Sequence, residues 1–212
     1  MAICDIGPFR GLHQFNFSPV ENKNGFAVFS KNGRGKTTLF NATQWCLFGK
    51  VHERTTVIDG KRVTGRQRPI VGEIAEPLMN QNAYESDRNP EMSVTLIAKS
   101  NSGNIQVSRT AKSATGTLPR SDKDIKIELV VQFGDETASG LRGQELVEQF
   151  FPSELTRFFF MDGESLDEYV NLVKDSQVGG IKNEVEAALR IPGLTRGASD
   201  FEIILGELNS KK

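Results

Sequence analysis

The sequence predicts an α/β fold built on a strand, a glycine-rich loop and a helix, with a subsidiary antiparallel sheet. Three observations predict it. The apolar run G-F-A-V-F at 25–29 leads into S-K-N-G-R-G-K-T-T at 30–38 and then into helical periodicity. The segments 92–99, 104–110 and 124–133 carry strand patterning, and R-F-F-F-M at 157–161 is apolar enough for a buried strand of a mixed central sheet. With 212 residues and 23.4 kDa, the chain can bury a sizeable core without disulfides or metal clips.

The elements follow in chain order. A-I-C-D-I reads as a strand, and L-H-Q-F-N-F as another, with Leu12, Gln14 and Asn16 alternating against Phe15 and Phe17. Gly7-Pro8 and Ser18-Pro19 mark the turns. From Thr37 to Leu47 a helix is expected, its apolar face formed by Leu39, Ala42, Thr43, Cys46 and Leu47, with Gly49 as its C-terminal cap. Residues 50–90 have little periodicity and read as a variable insertion, with a hairpin at V-I-D-G-K-R-V and a short helix at 72–80. S-N-S-G joins the first two of the later strands as a hairpin. An amphipathic helix over 143–155 is ended by Pro152, and Ser165 with Glu168 forms a capping-box signature for the next helix. I-K-N-E-V-E-A-A-L-R reads as a further helix. Phe201, Ile204, Leu205 and Leu208 make the stripe of a last one, over 196–212.

Composition narrows the classes. The 26 Lys and Arg against 27 Asp and Glu exclude a uniformly basic nucleic-acid binder, so any DNA contact must come from a local patch. No apolar run reaches the roughly 18 residues of a membrane span, and no membrane partner is expected. Cys4 and Cys46 lie among apolar neighbours, as reduced thiols do, and the N-terminus lacks a secretory pattern, so a cytoplasmic location is expected. His13 and His52 are the only histidines, which disfavours structural zinc and a histidine general acid.

Residues 30–38 carry the chemistry. They satisfy the Walker A pattern except that Ser30 stands where the first glycine is expected. Such a loop needs backbone N–H groups aimed at a phosphate, glycines that allow close approach, and a helix N-terminus behind it. Gly33 and Gly35 meet the second need; Asn32 and Arg34 complete the loop. Lys36 is placed to reach the β- and γ-phosphates, Thr37 to ligate Mg²⁺, and Thr38 to support the α-phosphate side. Ser30 fits if its φ is negative, with weakened or altered binding as the expected consequence. A nucleotide polyphosphate with Mg²⁺ is therefore the expected ligand.

The residues G-P-F-R-G-L-H-Q-F-N-F, N-G-R-G-K-T-T-L-F-N-A-T-Q-W-C-L-F-G and F-F-F-M-D-G-E give the chain a resemblance to the SMC-like and SbcC-type ATPases, whose heads belong to the ABC class. Within that group it resembles DndD-type ATPases of bacterial DNA phosphorothioation systems, in which a Phe-rich strand also runs into Asp-Gly-Glu. The resemblance implies an AAA_23-like N-terminal head lobe over 1–195 and the start of a coiled-coil helix at 196–212. It implies a partner C-terminal lobe, in the same polypeptide or a second head, carrying the signature and Walker B motifs. It also implies a nucleotide-driven head dimer and further DNA-modification or nuclease subunits. Asp162 then falls at the Q-loop position as a Mg²⁺ ligand, Arg10 close to the phosphates, and Asn32 facing the γ-phosphate. Lys36 and Asp162 are the expected catalytic residues, although the lobe alone is expected to be inactive.

Other readings of the same residues stay open. F-F-F-M-D at 158–162 has the form of a Walker B strand, which would make the chain a self-contained NTPase, and the lack of further carboxylate motifs also fits a non-catalytic nucleotide-dependent interaction module. Lys50, Arg54, Lys61, Arg62, Arg66 and Arg68 form a basic cluster able to hold a nucleic-acid backbone, without aromatic residues for base stacking.

Overall fold

The computed structural model describes residues 1–18, 25–51, 56–58, 61–63, 67–72, 77–87, 89–100 and 103–153. The chain divides into two compact units, Met1–Phe150 and Phe151–Lys212, and the elements below belong to the first. In chain order they are β1 (Ala2–Ile6), β2 (Phe9–Gln14), α1 (Lys36–Phe48), β3 (Thr56–Ile58), β4 (Lys61–Val63), α2 (Gln81–Ser86), β5 (Glu91–Ser100), β6 (Gly103–Ser113), β7 (Ile125–Phe133), β8 (Glu136–Ser139) and α3 (Gly140–Phe150).

Six strands form one sheet in the order β2-β1-β5-β6-β7-β8, antiparallel at every step, while β3 and β4 pair separately as the expected hairpin. Register aligns Ile3 with Val94, Val94 with Arg109, and Arg109 with Leu129, so these side chains share one face. Helix α1 lies on that face, where the Cys46 thiol sits 3.4 Å from the carbonyls of Val94 and Val107. Helix α3 covers the same face further along: Gly143 approaches the Ala138 carbonyl and the Leu129 side chain so closely that a Cβ there would lie 3.2 Å from the former. The opposite face is polar, with Thr95 bonded to Ser108 across strands and Glu128 held between Lys112 and Lys126. One buried face and one polar face explain the alternation legible in β6.

The structure departs from the sequence expectations in five places. Residues 25–29 are not a strand: they have no ladder partner among the described residues, and Phe26, Val28 and Phe29 are 48%, 49% and 91% exposed. The buried strand expected at 157–161 lies outside the described residues, and the strands of the described six-stranded sheet are all antiparallel where a mixed central sheet is expected. The buried face of α1 is made by Asn41, Ala42, Trp45, Cys46 and Leu47, rotated from the Leu39 stripe because Trp45 supplies the largest volume to bury. A short helix forms at 81–86, capped by Asn80; of the helix expected over 72–80, residues 73–76 lie outside the described residues, and Leu78 and Met79 are taken up by backbone pairing with Pro69 and Ile70. Strand β8 and the early start of α3 at Gly140 had no sequence signal beyond a Gly-Asp turn. The helices expected after 165, at 181–190 and at 196–212 lie outside the described residues. No helix of the described residues is long and apolar enough to cross a membrane.

Candidate nucleotide-binding site

The glycine-rich loop folds because its backbone demands it. Gly35 is the N-cap of α1 at φ 94°, and Gly33 has φ 75°; both lie in the left-handed region where a Cβ is strained. Gly35 is excluded from bearing a side chain on a second ground. A Cβ there would sit 2.5 Å from two ring carbons of Phe9 and 3.1 Å from Pro8. Ser30 takes a negative φ, since Asp5 alone among the described non-glycine residues has a positive one. A serine at the first loop position is thus accommodated without strain.

No side chain caps α1, and the first intrahelical bond runs from Leu39 N to Gly35 O at 3.1 Å. The amides of Lys36, Thr37 and Thr38 are therefore left without helical acceptors at the positive end of the helix dipole. No acidic residue lies in the first turn, and Lys31, Arg34 and Lys36 are all exposed around it. Lys36 Nζ donates to Ser30 O at 2.5 Å, to Ser30 Oγ at 3.3 Å and to Lys31 O at 3.2 Å. An anion entering the loop replaces these neutral acceptors by charged ones, which is the stronger pairing. Thr37 is exposed and Thr38 half-buried, and Asn32 stands exposed beside Gly33. The unpaired amides, the exposed lysine and the two hydroxyls fit a polyphosphate with its cation.

The loop is backed by the β1–β2 turn. A Cβ on Gly7 would meet Thr38 Cγ2 at 2.7 Å and Oγ1 at 2.9 Å, so the turn lies directly under the first helical turn. Phe9 continues into an aromatic row, with its ring 5.2 Å from His13 and 5.7 Å from Phe15. Arg10 projects from the other face of β2. Its guanidinium donates to Asn82 O at 3.0 Å and Ser86 Oγ at 3.1 Å, and stands 4.0 Å from Asp87. The structure thus gathers Ser30 to Thr38 in one loop, while the guanidinium of Arg10, the residue expected close to the phosphates, is engaged by Asn82 and Ser86 of α2. Asp162 lies outside the described residues. Of the basic cluster, Arg54 and Arg66 lie outside them as well. Among the described residues no group of His, Cys, Asp and Glu could hold a metal by itself. The contacts of Gly7, Pro8 and Phe9 had no signature in the sequence beyond the Gly-Pro turn.

This geometry, open amides at a helix N-terminus behind a glycine-rich loop, has the form of the phosphate site of P-loop nucleotide-binding proteins. Residues 1–199 match the AAA domain family AAA_23, and the chain belongs to that family. Membership makes it a P-loop ATPase domain, a class that binds nucleotide with Mg²⁺. A 50-residue stretch is 42% identical to the SbcC component of the nuclease SbcCD from Treponema pallidum, covering 24% of this chain and 5% of that protein. Both findings support an SMC/SbcC-like ATPase.

Proposed function

We propose that this chain is the ATP-binding N-terminal lobe of an SMC-like DNA-processing ATPase head. The observation that carries the reading is the uncapped first turn of α1 behind Gly33 and Gly35, with Lys36 at its mouth. In this reading the amides of 36–38 hold the phosphates, Lys36 neutralises the β- and γ-oxygens, and Thr37 with Asp162 holds Mg²⁺. Mg²⁺ held by these residues would supply neutralisation of the phosphate charge. Hydrolysis forms a bond from the water oxygen to the γ-phosphorus as the bond to the β–γ bridging oxygen breaks. The attacking water needs a carboxylate and a signature sequence from a C-terminal lobe, so ATP favours the engaged pair of heads.

The finer assignment follows the Phe-rich run of sequence that leads into Asp162-Gly163-Glu164. It supports a DndD-like role in DNA phosphorothioation and defence, with DNA-modification subunits as partners. The 42% identity to the SbcC component supports a repair-type head with a nuclease partner instead. DNA contact through Lys50 to Arg68 belongs to either. A phosphate-release assay separates the head-lobe reading from its rivals. The chain alone is expected to show no turnover, and addition of a signature-bearing C-terminal lobe restores it. Turnover by the isolated chain that Asp162→Asn abolishes contradicts this and supports a self-contained NTPase. Absence of turnover even with the second lobe supports a non-catalytic module.

A further inference from the structure

We infer that Asn80 is a positioning residue for the phosphate-binding loop, acting through the β1–β2 turn; the inference rests on the nucleotide reading of that loop. Asn80 is 5% exposed and uses both ends of its amide. Its Oδ1 accepts from Ala83 N at 3.0 Å, which caps α2, while its Nδ2 donates to Gly7 O at 2.6 Å. Its own backbone N–H donates to Asp5 O at 2.9 Å, and Gly7 N donates to Leu78 O at 2.8 Å. The segment 78–80 is thereby zipped to residues 5–7, with Ile6 and Met79 as a bridge pair.

The tied turn is the one that supports the loop. Gly7 lies against Thr38, and Pro8 and Phe9 lie against Gly35. Both contacts are too close for an added Cβ, so a shift of the turn is transmitted to the amides of 36–38 instead of being absorbed by slack. A P-loop binds by fixed amide directions, and small misplacements of such donors cost affinity. Asparagine suits the post because one side chain both accepts and donates. Aspartate and serine cap helices about as well but have no amide to give Gly7.

The two roles separate by substitution. Asn80→Ser keeps a cap on α2 and is too short to reach the Gly7 carbonyl, whereas Asn80→Ala loses cap and tether together. Mg-ATP titration of the full chain is expected to show both variants binding about three- to tenfold more weakly than wild type, as the loss of one buried hydrogen bond allows. Their melting temperatures should differ, with Asn80→Ala the lower. Phe9→Leu, which leaves Asn80 intact and removes the ring from Gly35, should weaken binding to a similar degree. Wild-type affinity in Asn80→Ser, or affinity that falls only in step with melting temperature across the series, overturns the positioning role while leaving the nucleotide reading intact. Failure of wild type to bind, judged against Lys36→Ala, overturns both.

Discussion

Cys46 shows how far a single side chain's environment determines its chemistry. Burial pushes its thiol up to about 12, and the nearby Arg109 guanidinium only partly opposes this. Cys4 rises to about 11, chiefly by burial and then through its hydrogen bond to the Asp5 carboxylate. A thiolate is the reactive form, so iodoacetamide at pH 8 should leave Cys46 unmodified until the protein unfolds. Prompt native-state labelling would contradict the burial. The sign of the linkage is set by the raised value: the stabilisation from a protonated Cys46 is present below the ordinary thiol range and is lost as pH climbs toward 12. At this scale the sequence was informative wherever chemistry is local. Gly33, Gly35, Lys36 and Thr37 are legible because the loop's requirements fall on consecutive residues. Asn80 and Phe9 are not, because their contacts join residues separated by up to 73 positions.

Among the elements, α1 has two ends of different kinds, one open and one closed. Its N-terminus is uncapped, while its C-terminus is closed by Gly49 at φ 72°, whose N–H donates to Trp45 O at 2.8 Å. The carbonyls of Cys46 and Leu47 accept from Arg109, which is 6% exposed: Nε donates to Cys46 O at 2.9 Å and Nη2 to Leu47 O at 3.3 Å and to Gln144 Oε1 at 2.8 Å. Gln144 Nε2 adds a bond to Leu47 O, so α3 shares the clamp. A cation at a helix C-terminus is favourable, and no ion-pair partner stands beside it among the described residues. Arg109→Met should therefore cost about 2–4 kcal/mol in urea unfolding, since it strands buried acceptors; a loss below about 1 kcal/mol would show the clamp to be dispensable. Gly49 was legible as a cap from its place after the periodic stretch. Arg109 falls in phase with Ile105 and Val107 in the alternation of β6, but no sequence signal showed that the carbonyls of Cys46 and Leu47 would receive it.

On the scale of the whole molecule, the P-loop helix and α3 share one face of an antiparallel sheet, and the loop itself is braced from beneath by the β1–β2 turn. The antiparallel strands were legible from alternation, because one face is buried and the other polar. Segment 25–29 was not, since apolar content alone does not supply a pairing partner. The match over 1–199 agrees with the class that the loop defines, while the match to SbcC spans only 5% of that protein. The DNA transaction and its partners therefore rest on the proposal, and nucleotide binding by the loop comes before either. Calorimetric titration of the full chain with Mg-ATP, in wild type and Lys36→Ala, tests it most directly. Saturable binding by wild type that Lys36→Ala weakens by at least tenfold, about 1.4 kcal/mol, is the predicted result. Equal binding by the two proteins, or none by wild type, would contradict the assignment of Ser30 to Thr38 as the nucleotide site.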